Sequence, residues 1–240
     1  MVDRKALTTR VASFKKSASR LFDKAVDELV ALAFKHANAG ADFLWDMDPG
    51  LDEEANKICR NLSDAMAEKA KELARLAVED SFEYEGFDDA WEHENDGLLT
   101  ILDQQGSFLK ELLEIWVALA FVNAISKGEL RVMLSRYMAN PFLSPLWGGL
   151  PKGVLKWGRG YQRDLLAQFV LIGQEAVIRA FLYAEWKNAS ANGAKYYIRR
   201  RGSWYDCRDC DDLCGFPIPI ETPFQHPHPR CMCWPEYHYE

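Results

Sequence analysis

Apolar side chains recur every three to four positions along most of this chain, a spacing that predicts helices. From residue 4 to about 38 the stripe is Val11, Phe14, Leu21, Phe22, Ala25, Val26, Leu29 and Leu32, with Lys, Arg and Asp between them. The break GADFLWDMDPG, where Pro49 meets Gly50, separates it from a second helix expected over about 52–78, with Ile58, Leu62, Met66, Leu73, Leu76 and Ala77 on its buried side. SFEYEGFDDAWEHEND reads as a loop with a short helix, followed by a third long helix over about 98–126 and a fourth over about 129–138. Composition then changes: ANPFLSPLWGGLPKGVLKWGRG is rich in Pro and Gly, marking a hinge or extended loop that Trp147 and Trp157 anchor to a neighbouring surface. Beyond it YQRDLLAQFVLIGQEAVIRAFLYAEWKNAS has the pattern of one more helix, ending near Asn192 and Gly193, and KYYIRRRGSWYD has the Tyr, Ile and Trp content of a strand. The pattern therefore predicts a helical body over 1–140, a connecting loop over 141–160 and a C-terminal domain over 161–240. The expected fold class is mainly α with a small C-terminal β module stapled by a Cys/His cluster, α+β overall.

Composition narrows this picture. A chain of 240 residues, about half of them apolar and 27% charged, is in the globular range and long enough to bury its own core without crosslinks. The formal charge of −7 is uneven. Glu79, Asp80, Glu83, Glu85, Asp88, Asp89, Glu92, Glu94 and Asp96 form an acidic run, whereas Lys152, Lys156, Arg159 and Arg163, and then Lys195, Arg199, Arg200 and Arg201, form two basic patches. The net charge argues against bulk electrostatic binding of DNA, while leaving the basic patches as local contacts. IWVALAFVNAI, residues 115–125, is about half the length that a membrane-spanning helix needs, so it is expected as a core helix with no membrane partner. The N-terminus shows no apolar secretory stretch, which points to synthesis in a cytoplasm. In that reducing setting clustered cysteines favour metal ligation over disulfides.

Five of the six cysteines and two of the five histidines lie in DCRDCDDLCGFPIPIETPFQHPHPRCMCWPEY. Cys207 and Cys210 form a CxxC turn, and His228, Cys231 and Cys233 follow in HPRCMC. A CxxC turn aims two thiolates at one tetrahedral ion, and HxxC or CxC supplies the remaining donors from an opposed segment, so the candidate ligands of a structural zinc are Cys207, Cys210, His228, Cys231 and Cys233. The residues alone leave open which four would bind, or whether a disulfide or buried thiols stand there instead. Cys214, between Leu213 and Gly215, could join either scheme but looks more like packing than ligation, and Cys59 looks like a core thiol. Of His226 and His228, two residues apart, one reads as simply solvated, and His36, His93 and His238 read as ordinary residues. Glu175 stands out as a carboxylate set in an apolar helix, placed to cap a helix-to-loop contact. No Gly-rich phosphate loop, GxSxG or HExxH occurs, so no enzyme is expected.

The ordered set Cys207, Cys210, Leu213, Gly215, Phe216, Pro217, His228, Pro229, Cys231 and Cys233 resembles the C-terminal signature of the phage Mu F-like minor head proteins, also called head morphogenesis proteins. Glu175, Gly193 and KYYIRRRG stand where that family has a helix with an acidic residue, a glycine turn and a strand, although the family's Arg-Thr-Glu is replaced here by IGQEAVIR and Cys214 stands where Asp is commoner. The resemblance covers residues 160–235 and is specific over the last thirty or so. It implies a virion component made in the host cytoplasm, present in several copies, bound to the portal or major capsid protein, acting in head assembly and in genome packaging or ejection, with packaged DNA a further candidate partner. Two other readings remain at this stage. One is a zinc-ribbon-like nucleic-acid binder in which Arg199, Arg200, Arg201, Trp204 and Tyr205 track a backbone. The other is a small nuclease or toxin domain with His226 or His228 as base.

Overall fold

The computed structural model describes residues 4–37, 49–122, 129, 132, 165–202, 208–225 and 233–240. The elements are α1 (Arg4–Ala37), α2 (Pro49–Glu79), α3 (Phe87–Asn95), α4 (Leu98–Val122), α5 (Leu165–Ala191), β1 (Tyr196–Arg200), α6 (Arg208–Leu213), β2 (Pro217–Pro219) and β3 (Trp234–His238). The fold is thus mainly α with a small antiparallel sheet at the C-terminus, the class the pattern predicts. Apart from Glu129 and Val132, the fourth helix expected over 129–138 lies outside the described residues, as do the connecting loop 141–160 with Trp147 and Trp157, the first basic patch, Trp204 and Tyr205.

Pro49, expected to end a break, instead opens α2. The first helical position suits proline, because its missing N–H would have no intrahelical acceptor there and its φ is already helical. The acidic run resolves into a turn and α3, whose Asp88 and Asp89 lie in its first turn beside the positive end of the helix dipole. The expected CxxC turn runs into a short helix, α6, which contains Cys210.

The chain divides into two compact units, each assembled from separate stretches of sequence. The first comprises residues 1–14, 69–96 and 173–240. Within it α1 and α5 touch closely. A methyl group at Gly173 would fall 2.0 Å from Phe14 Cζ, so only glycine lets the Phe14 ring lie against the α5 backbone. Gln174 on the next position donates to the Val11 carbonyl at 3.0 Å. Phe82 packs edge-on against Phe181, and the His93 ring stacks on Tyr183. The acidic run is drawn in by cations: Asp80 pairs with Arg10, and Asp88 with both Lys71 and Arg75.

At the end of α5, Gly193 takes a φ of +85, which lets Gly193 N–H reach Ser190 O and Ala194 N–H reach Ala189 O. This left-handed turn closes the helix and sends the chain into β1. The sheet order is β2-β1-β3 and both pairings are antiparallel. Trp186 on α5 donates from its indole to the Ile220 carbonyl at 2.7 Å, tying the turn after β2 to the helix. Tyr197, buried at the centre of β1, packs edge-on against Phe224 and Tyr237.

The second unit comprises residues 15–68 and 97–172. Its core includes Phe22, Leu29, Leu51, Met66, Leu102, Leu109 and Phe169. Gly106 of α4 lies where an added Cβ would be 3.3 Å from the Cys59 backbone oxygen and side chain and from Ser63 Oγ, so small residues set the α2 to α4 approach. Burial pushes the Cys59 thiol up to about 12, which keeps it protonated as the inert core thiol the sequence suggests.

Candidate functional site

The sheet topology explains why distant cysteines meet. β2 and β3 flank β1 and both run antiparallel to it, so both begin beside the C-terminal end of β1. Cys233 immediately precedes β3, where Trp234 pairs with Arg200. Cys214 precedes β2, and the adjacent Gly215 N–H donates to the Arg199 carbonyl at 3.1 Å. Gly215 has a φ of +88, the left-handed conformation needed to turn the chain out of α6 and back toward β1. α6 spans this connection and buries Cys210. Cys210 and Cys233, 0% and 2% exposed, form one buried cluster against which Cys214 packs. The Cys214 and Cys233 sulfurs are 3.9 Å apart. Neither Cys210, Cys214 nor Cys233 is in a disulfide.

A buried cation stands beside these thiols. Strand alternation in β1 turns Tyr197 and Arg199 inward, leaving Arg199 5% exposed. Its Nη2 donates to the Gln225 carbonyl at 2.7 Å and its guanidinium lies 4.4 Å from the Phe224 ring centre. Among the described residues its Nε and Nη1 have no hydrogen-bond partner. A guanidinium in such surroundings is costly unless negative charge or further acceptors face it. Burial pushes the Cys214 thiol up, and the Cys233 sulfur adds to this, while the charges of Arg199 and Arg201 pull in the opposite direction. The other two arginines of the expected basic strip are engaged: Arg200 pairs with Glu236 and Arg201 with Asp211. The Arg200 hydrogen bond holds the Glu236 carboxyl below its ordinary range. The strip read as a row of outward cations is thus one inward arginine and two ion pairs.

Of the candidate ligands, Cys210 and Cys233 are brought together, while Cys207, His228 and Cys231 lie outside the described residues, as does His226. Among the described residues no three His, Cys, Asp or Glu side chains are arranged to hold a metal ion. The donor chemistry nevertheless suits zinc, because soft thiols from both ends of the segment share one buried place next to a cation that favours thiolate. Cys214, which the sequence suggests as packing, does pack against this cluster. Its signal was positional: it leads into β2 at the same end of β1 where Cys233 leads into β3.

The carboxylate set deepest in α5 is Glu185, not Glu175. Glu175 forms an ion pair with Arg179, one helical turn on, at 3.1 Å. Glu185 is 3% exposed and receives Arg4 Nη2 on Oε1 at 3.0 Å and on Oε2 at 3.2 Å. The same Arg4 nitrogen donates to the Pro235 carbonyl at 3.1 Å, and the guanidinium lies 5.4 Å from the Trp234 ring centre. Burial pushes the Glu185 carboxyl up to about 7, although Arg4 pulls it down. Tyr237, beside this pair, has its hydroxyl buried with no hydrogen-bond partner among the described residues, and burial raises its pKa. The arrangement joins α1, α5 and β3 through one charge pair, which is a structural fastening.

Set against sequence models of protein families, curated proteins and solved structures, the chain matches none of them.

Proposed function

We propose that this chain is a structural protein of a tailed-phage head, of the Mu F-like minor head type, bound to the portal or major capsid protein during head assembly. The reading rests on the ordered Cys, His, Gly and Pro pattern of the last thirty or so residues. The observation that carries it is the burial of Cys210 together with Cys233, residues from the two ends of that pattern. A segment fastened in this way offers a rigid surface on a helical body, which suits an assembly part better than a catalyst.

In this reading zinc is held by four of Cys207, Cys210, His228, Cys231 and Cys233, and when bound it crosslinks the two ends of the segment. This chain's own contribution is to present thiols from the entrances of β2 and β3 and from α6, and to bury Arg199 as a positive charge beside them. The nucleic-acid reading draws no support from the strip Arg199, Arg200 and Arg201, whose charges are buried or matched by carboxylates. Packaged DNA stays a secondary partner, reached through the remaining basic residues.

Quantitative detection in purified particles tests the proposal. Several copies per particle, at a ratio fixed to the portal, is the expected result, with metal analysis of the purified protein giving one zinc per chain. Absence from particles overturns the role; a zinc content near zero with all thiols titratable overturns the metal clasp alone.

A further inference from the structure

The candidate ligand set leaves out Cys214, yet the Cys214 sulfur lies 3.9 Å from that of Cys233, in the cluster that also buries Cys210. We propose that Cys214 and Cys233 are an oxidisable dithiol, a modification site that a small-molecule disulfide such as oxidised glutathione converts into an internal disulfide. The geometry carries this. The two sulfurs are 3.9 Å apart, and a disulfide requires about 2.05 Å, so closure needs an approach of about 2 Å. Gly215 is bonded to Arg199 on one flank of β1 and Trp234 is in register with Arg200 on the other, so one sheet brings the residues that follow the two cysteines to the same end of β1.

Exposure gives the pair an order of reaction. Cys214 is only partly buried, whereas Cys233 is 2% exposed. The Cys214 sulfur loses its proton and attacks the small disulfide, forming a mixed disulfide and expelling one thiolate. Cys233 then loses its proton and attacks the Cys214 sulfur, expelling the second thiolate. Two electrons pass from the protein to the reagent, which leaves as two thiols once the expelled thiolates take up the two protons.

Formation of this disulfide does not require zinc. The full chain, freed of metal with a chelator, is equilibrated with mixtures of oxidised and reduced glutathione, alkylated, digested and mapped by mass spectrometry. The expected result is the loss of two alkylatable thiols and one crosslinked peptide joining Cys214 to Cys233. Persistence of alkylatable Cys214, or a crosslink joining Cys233 to any other cysteine, overturns it. Cys214→Ser, checked for folding by circular dichroism, should lose the crosslink with no other pair replacing it at the same glutathione ratio; the wild-type map decides even where that variant fails to fold. Repeating the oxidation with zinc separates the two readings. Protection by zinc is expected where Cys233 is a ligand. Crosslinking at an unchanged rate leaves the dithiol standing and removes Cys233 from the zinc site.

Discussion

Arg4 donates to both carboxylate oxygens of Glu185 and to the Pro235 carbonyl, so one side chain in the first turn of α1 fastens both α5 and β3. The Glu185 carboxyl is nevertheless raised from 4.5 to about 7, because the loss of water on burial outweighs the attraction of Arg4. A carboxyl with a raised folded-state pKa binds its proton more tightly when folded. Its stabilising contribution is complete below pH 4.5 and is lost as pH rises through about 7. Unfolding by urea should therefore show a decline of about 3 kcal/mol between those limits from this group. Glu185→Gln should flatten that part of the profile. Asp88, held below its usual range by its bond to Lys71, acts with the opposite sign at lower pH, so the two windows separate.

Replacing Arg4 tests the same fastening from the other side. Arg4→Met leaves Glu185 without its hydrogen-bonded cation and the Pro235 carbonyl without that donor. Breaking a buried pair costs about 3 kcal/mol where the remaining group stays charged. Here the carboxyl can take a proton instead, so the loss should be largest at pH 8 and smaller at pH 6. Denaturant midpoints at the two pH values check this, and equal losses would mean that Arg4 acts through packing on Trp234 alone.

The contact of Gly173 with Phe14 predicts a steric penalty. A methyl group at position 173 meets the Phe14 ring at 2.0 Å, and a buried ring can yield only by shifting its helix. Gly173→Ala should destabilise by about 2 kcal/mol despite the better helix propensity of alanine. Adding Phe14→Leu to Gly173→Ala should recover part of the loss, whereas Phe14→Leu alone should only destabilise. A thermal-melt double-mutant cycle gives the coupling.

Legibility of the fold followed the strength of local signals. The stripes of Phe14, Phe22, Val26 and Leu29, and of Leu62, Met66, Leu73 and Ala77, are buried as their 3.6-residue spacing requires, because a long helix repeats its face many times. Pro49 misled as a break, since proline at a first helical turn and proline in a loop look alike in sequence. Glu185 escaped notice because its partner Arg4 lies 181 residues away, and no local pattern records such a pair. Arg199 was grouped with its neighbours as charge, whereas alternation along β1 separates it from Arg200. The meeting of Cys210 with Cys233 could be anticipated from their placement in the motif; the approach of Cys214 depended on the order of the strands, which spacing alone does not encode.

Arg199 offers the sharpest test of what the thiol cluster holds. In a cluster of neutral thiols its buried charge is a burden, and Arg199→Met trades one hydrogen bond to Gln225 and the contact over Phe224 for relief from that burden. Stability of the metal-free protein should then change by no more than about 1 kcal/mol. In a zinc thiolate centre the same charge offsets the negative sulfurs, and its loss should weaken zinc binding by about 10- to 100-fold, the range typical of groups that support metal ligands from behind. Competition against a chromogenic chelator reads the affinity, and Arg199→Lys, which keeps the charge without the planar fork, should fall between wild type and Arg199→Met. Equal changes in metal affinity and metal-free stability would make Arg199 a packing residue only; a selective loss of zinc affinity is the outcome expected of the proposed zinc centre.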